Sequence, residues 1–272
     1  MAYWNNISNQ LRPVISTVGD GINTAVPPRD IKDTQSPDSV NINTYEYPAM
    51  TVRKTLAPVG AVHAVGKSLM FSYKGEKLLK IVSNTLYELV AGVWTTRATL
   101  PTSALNILNV TNFMDKLYIT IDNSKIIEVD SSWTVKVLSE APEAIDIAAH
   151  ANRLYAIYDN LLHYSGLREV NNWNTVDESG TIQVDTVNGE DLTAITMFSN
   201  HIVTYSKNGV YELYGTGPIN YEPVTISRDI GCVAARSIVE LKQNLFWLGT
   251  DGVYVYNGGT IPKKISWPAE KY

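Results

Sequence analysis

The 272-residue chain has one cysteine, four histidines and four phenylalanines, and only 18% of its residues are charged, against roughly 25% in ordinary soluble domains. A single thiol excludes an internal disulfide framework and any cysteine-based metal cluster. Cys232 lies in the small apolar run Gly231-Cys-Val-Ala-Ala235 and reads as a packing residue rather than a reactive one. No apolar run approaches the ~18 residues that read as a membrane-spanning helix. The opening Met1-Ala-Tyr-Trp-Asn-Asn6 has neither the basic nor the apolar region of a secretory signal, so a soluble, cytoplasmically made protein is expected. Basic clusters are also missing. None exceeds two residues (Arg53-Lys54, Lys263-Lys264) and the net charge is −5, which excludes tight binding to nucleic-acid phosphates. An acidic wall past which DNA slides is compatible with that charge.

What is present is a repeat. Apolar residues reach 44%, with 16 tyrosines and 6 tryptophans, side chains that suit half-buried strands and interfaces. A small polar turn followed by an apolar couplet and a strand recurs five times. The clear copies are Asn152-Arg-Leu-Tyr-Ala-Ile-Tyr158, Asn200-His-Ile-Val-Thr-Tyr205 and Gln243-Asn-Leu-Phe-Trp-Leu248; weaker ones are Asp115-Lys-Leu-Tyr-Ile-Thr120 and Lys67-Ser-Leu-Met-Phe-Ser-Tyr73. Taking Leu69, Leu117, Leu154, Ile202 and Leu245 as equivalent gives spacings of 48, 37, 48 and 43 residues. Short strands repeating at a period in the forties mark propeller blades. The expected fold is all-β, a five-bladed β-propeller, with an N-terminal strand and loop extension closing the ring.

The expected division is residues 1–50 as a loop-rich extension and residues 51–272 as the propeller. Blades are expected at about 61–100, 105–140, 144–186, 192–228 and 232–266, the third lengthened by an insertion over Gly166–Asn174. Asn208-Gly209 and Asp251-Gly252 predict hairpin turns with positive φ at both central residues. The stretch 141–149 reads as an innermost strand, its small residues fitting a crowded axis. Met50–Leu56 is the expected donor to the last blade beside Thr260–Ser266, because an open ring would leave pairing edges exposed.

Residues that could carry chemistry are dispersed. His63, His150, His163 and His201 have no metal-ligand spacing, although His63 and His150, at inner-strand starts, could face the axis. Carboxylates cluster as Asp122/Glu128/Asp130, Asp185/Glu190/Asp191 and Asp229. A glycosidase would need acids at the starts of several inner strands, and only Asp146 and Asp191 qualify. The run Asp185–Asp191 lacks the ligand register of a calcium loop. Gly215-Thr-Gly217 and Gly258-Gly259 punctuate hairpins and have no phosphate-binding context. No catalytic, cofactor or metal site is expected. The inter-blade loops differ too much for one sugar site per blade, leaving Trp173 as a single candidate.

The order of segments resembles that of one family. Gly21-Ile-Asn-Thr, Ile31-Lys-Asp-Thr-Gln-Ser-Pro-Asp-Ser-Val-Asn41, Arg53, Asn172-Trp173, Asn208-Gly-Val-Tyr-Glu-Leu-Tyr-Gly215, Asp229-Ile-Gly-Cys-Val-Ala-Ala-Arg-Ser-Ile238 and Phe246-Trp-Leu-Gly-Thr-Asp-Gly-Val-Tyr-Val-Tyr-Asn-Gly258 are similar to segments of the β-propeller hub or nozzle proteins of bacteriophage tails, also known as packaged-DNA stabilisation proteins. The resemblance spans about residues 20–260. It implies a non-enzymatic virion tail protein without cofactors, commonly six copies around a channel, that helps retain or pass DNA and docks adaptor, portal or fibre proteins. Many members are much longer than this chain. Tyr3, Trp4, Trp173, Trp267 and Tyr272 are the candidate interface residues. The alternative from another class is a carbohydrate- or receptor-binding propeller.

Overall fold

The computed structural model describes residues 27–30, 42–43, 51–52, 68–101, 107–122, 124–215, 217–259 and 261–267. The chain divides into two compact units, residues 57–265 and residues 1–56 with 266–272. In the smaller unit Pro28–Asp30 forms a 3-10 turn, and Ile42–Asn43 pairs antiparallel with Thr51–Val52.

The larger unit is a five-bladed propeller, each blade a four-stranded antiparallel sheet of consecutive strands. Blade one is built from Ser68–Tyr73, Lys77–Val82, Thr85–Val90 and Val93–Thr99, and blade two from Ile107–Phe113, Lys116–Ile121, Ile127–Val129 and Val135–Val137. Blade three has Asp146–His150, Arg153–Tyr158, Leu161–Tyr164 and Gly180–Gln183, with the expected insertion before its last strand. Blade four has Leu192–Phe198, His201–Ser206, Val210–Tyr214 and Glu222–Ser227. Blade five has Val239–Leu241, Asn244–Leu248, Val253–Tyr256 and Lys263–Lys264. The first strands of blades one to four pack on one another in order and are the inner strands; Asp146–His150 is among them, as its small residues predict.

The second strands show why the repeat reads as an unbroken apolar run. Successive side chains of a strand point to opposite faces, and here both faces are covered. Leu154 and Ala156 pack towards blade two with Tyr118 and Ile147, while Tyr155 and Ile157 pack towards blade four with Ile195 and Leu213. Leu79 and Ile81 meet Ile119 and Ile121 between blades one and two, and Val203 and Tyr205 meet Trp247 and Tyr256 between blades four and five. Each large side chain fully buried in such a seam contributes about 1.5–3 kcal/mol.

The repeat's leading polar residue belongs to the turn between first and second strands. Two-residue loops at Met114-Asp115, Ala151-Asn152, Ser199-Asn200 and Lys242-Gln243 have positive φ at both positions, between 46° and 68°, as type I′ hairpins require. Asp and Asn tolerate this region better than most residues. One copy of the repeat is out of phase. Leu69 lies in a first strand, whereas Leu117, Leu154, Ile202 and Leu245 lie in second strands.

Two expectations about chain reversal and closure are corrected. The turns at Asn208-Gly209 and Asp251-Gly252 exist, but Asn208, Gly209 and Asp251 do not have positive φ. The first loop has three residues between its strands and the second four, closed by Ser206 N–H donating to Gly209 O and Gly249 N–H to Gly252 O. Gly209 is needed for space instead, since a Cβ there would lie 2.2 Å from the Tyr211 hydroxyl. Within the expected closing strand, Thr51 and Val52 pair with Ile42–Asn43, and blade five completes its sheet with its own Lys263–Lys264.

Candidate functional site

Four antiparallel strands per blade put the starts of the inner strands, and the turns between second and third strands, on one face of the propeller. The turns between first and second strands lie on the other.

On the first face, Ser68, Ile107, Leu108, Ile145, Thr193 and Ala234–Arg236 line the axial mouth, one or more residues from each blade. Asp146, at the start of blade three's inner strand and next to the lining residue Ile145, is 2% exposed. One carboxylate oxygen accepts the Asn109 amide of blade two and the Ile147 N–H (2.8 Å); the other accepts the Ile195 N–H of blade four (3.0 Å). Burial raises its pKa to about 6, and these three donors pull the other way. The fully buried Thr120 hydroxyl is within 3.4 Å of the Asn109 and Ile145 carbonyls, adding a link between blades two and three. Across the mouth, the Arg236 guanidinium of blade five donates to the Ile107 and Leu108 carbonyls of blade two.

Asp191, the other acid named for an inner strand, is exposed. The remaining acid clusters hold local structure. Glu128 takes Lys116 Nζ (2.7 Å) and the Tyr118 hydroxyl (2.9 Å). Asp130 accepts the Ser132 hydroxyl (2.6 Å) and the Ser132 and Thr134 N–H groups (2.9 Å each), and these bonds, that of the hydroxyl foremost, hold its carboxyl below the usual range. Glu190 accepts the Asn208 N–H (3.1 Å), and Asp185 pairs with Arg228 (2.9 Å). The Cys232 thiol is buried, which pushes its pKa up. His163 bonds Thr181 Oγ1 (2.8 Å), and burial lowers its pKa; His63 lies outside the described residues.

On the second face a cleft of about 460 Å³ opens between blades three and four. Its walls are His150, Ala151 and Tyr155 of blade three and Asn200, His201, Ile202, Leu213, Gly215 and Tyr221 of blade four. The type I′ turns Ala151-Asn152 and Ser199-Asn200 form its rim. Gly215 (φ +115°) lets the chain fold onto Asn220, whose carbonyl would lie 2.3 Å from a Cβ. His201 Nδ1 contacts Glu212 Oε1 at 2.9 Å, and Glu212 is buried with its other oxygen accepting the Tyr256 hydroxyl of blade five at 3.1 Å. The His201 ring also packs on Tyr214, with centroids 4.7 Å apart. The Tyr155 and Tyr221 hydroxyls are 2.7 Å apart. Burial, then the neighbouring His201, pushes the His150 imidazole below the usual histidine range. The sequence pointed His150 towards the axis; the structure places it at the far end of the inner strand, facing this cleft.

Of the expected interface residues, Trp267 is 63% exposed. Tyr3, Trp4 and Tyr272 lie outside the described residues. Trp173 is a correction. It is buried with Tyr118, Leu138, Ile147 and Leu154 between blades two and three, and its indole N–H donates to Val170 O at 2.8 Å. It cannot serve as an exposed contact or as a sugar platform.

No protein-family model matches the chain, and no curated protein does. Solved propellers match its fold. The extracellular domain of a hybrid two-component system of B. thetaiotaomicron aligns at TM-score 0.55 and 13% identity, covering 72% of this chain and 27% of that one. A catalytically inactive virginiamycin B lyase of Staphylococcus aureus aligns at TM-score 0.52 and 11% identity, covering 79% and 73%. PorZ, a surface component of the type-IX secretion system of Porphyromonas gingivalis, aligns at TM-score 0.50 and 13% identity, covering 70% and 25%. This chain thus spans about a quarter of the length of the first and third. At these identities the likeness is one of fold.

Proposed function

We propose that the chain is a non-enzymatic docking propeller of a bacteriophage tail, present in several copies around the tail channel and offering its surfaces to neighbouring tail proteins. The observation that carries the non-enzymatic part is Asp146. An axial carboxylate that could have served as an acid or base instead accepts three hydrogen bonds from three adjacent inner strands and is shielded from solvent. It acts as a fastener. The placement in a tail is supported by the ordered motifs of residues 20–260, from Ile31–Asn41 to Phe246–Gly258.

The sparse charge agrees with a surface that is covered by partners. The net charge of −5 fits a wall that DNA passes without adhering. Arg236 spans the axial mouth, so the passage relevant to DNA is the one between copies.

The test is assembly. Mass photometry of the purified chain, alone and with the products of its neighbouring genes, is expected to show a ring, and cryo-electron microscopy of particles is expected to place that ring in the tail. A chain that stays monomeric with every neighbouring product and is missing from purified particles would overturn the reading.

A further inference from the structure

The walls of the cleft between blades three and four belong to the seam that joins those blades, but its open volume is filled by no side chain among the described residues. We propose that it is a binding site for a neutral saccharide, recognised through one or two sugar rings.

Its size, about 460 Å³, falls within the roughly 300–1,000 Å³ of small-molecule sites. Among the described residues its lining contains neither lysine nor arginine. The nearest cation in sequence, Arg153, is buried and donates to the Ser165 and Glu178 carbonyls. A phosphate or carboxylate would therefore meet no fixed positive charge among the described residues, and burial disfavours a proton on His150. A cation would find no free carboxylate, because Glu212 is engaged by His201, Tyr214 and Tyr256.

What the cleft does offer is paired donors and acceptors beside aromatic surface. Neutral His150 presents one of each, and no hydrogen bond to its ring is present among the described residues. Glu212 receives the Nδ1–H of His201, leaving Nε2 for a ligand. When the buried Tyr155 hydroxyl donates to that of half-buried Tyr221, Tyr221 keeps its own proton to give away. The Asn200 amide on the rim adds a donor and an acceptor. Half-buried His150, His201 and Tyr221 supply the ring surface, with His201 stacked on the exposed Tyr214 at 4.7 Å and Tyr221 held edge-on at 6.3 Å by the buried Tyr155 beneath it. Such faces suit the apolar C–H surface of a pyranose while its hydroxyls take the polar groups. Those hydroxyls both donate and accept, which matches this mixture better than a charged ligand does.

The experiment is a glycan array probed with the full chain, carrying neutral and acidic oligosaccharides, followed by calorimetric titration of the best neutral hit. His150→Ala and Tyr221→Phe are each expected to weaken that binding tenfold or more, the second with the ring retained and the chain still folded at the titration temperature, although the buried Tyr155 hydroxyl loses its partner. Met70→Ser, at an exposed site on blade one, is expected to bind as the parent does. Failure to bind any neutral glycan, binding confined to sialylated or phosphorylated glycans, or binding undiminished in both cleft variants would each overturn the proposal. Ring assembly is read separately, so the loss of either function leaves the other measurable.

Discussion

At the scale of single residues, Asp146 has the most consequences. Its carboxyl is raised in the folded state to about 6 from an ordinary 3.8, so between those values the native protein holds a proton that the unfolded chain has released. The sign follows directly. This group favours folding most below about pH 4, and the contribution is lost as pH rises through 6. A shift of about two units corresponds to about 3 kcal/mol at most. Urea melts at pH 4.5 and 7 should show the parent gaining stability relative to Asp146→Asn at the lower pH. A difference that does not change with pH would contradict the assignment. At pH 7 the Asn variant also turns an amide N–H towards a backbone donor, and a buried donor left unpaired costs about 1–3 kcal/mol. Gly209→Ala is expected to lower the melting temperature by several degrees, because its Cβ and the Tyr211 hydroxyl would claim the same space, and that hydroxyl also accepts the Val187 N–H.

At the scale of elements, the type I′ turns and the seams give opposite expectations. Ala151 holds φ 46° with a side chain unsuited to it, a conformation that costs about 1–2 kcal/mol. Ala151→Gly should therefore stabilise blade three by about 0.5 kcal/mol once glycine's extra freedom in the unfolded chain is counted; thermal melts check the direction. Trp173→Ala should cost about 3–5 kcal/mol, the range for emptying a buried aromatic site, and should raise hydrogen exchange in Arg153–Tyr158 beside it. The same elements show what the sequence could convey. Blade number and the locations of most turns were legible because doubly covered second strands leave unbroken apolar runs such as Leu154-Tyr-Ala-Ile157. Blade one reads out of phase because Ser68–Tyr73, a first strand, imitates the motif of a second. Trp173 read as an interface residue since its insertion breaks the repeat, whereas its indole finds a local carbonyl and turns inward. The cleft was not legible at all. His150 and His201 belong to different blades, and only the signal that each flanks a turn between first and second strands, on one common face, could have joined them.

At the scale of the whole molecule, the ring is fastened twice around its axis, by Asp146 across blades two to four and by Arg236 from blade five to blade two. Arg236→Met is expected to leave the blades folded and to raise hydrogen exchange at Ala234–Ser237 and in the inner strand Ile107–Phe113; protection unchanged at both would refute that role. The four strands of each blade are also consecutive in the chain, and this bears on synthesis. A blade has every sheet partner it needs once its fourth strand has left the ribosome, and most of its contacts are local, which favours rapid closure. Its seam, however, waits for the next blade, some 37–48 residues later. At about 5–20 residues per second that wait lasts a few seconds. During each such interval the newest blade shows the growing cell extract one bare apolar face. The nascent chain therefore meets chaperones in pulses, one per blade, and slowed translation within a blade-to-blade loop prolongs the exposure of the blade just completed.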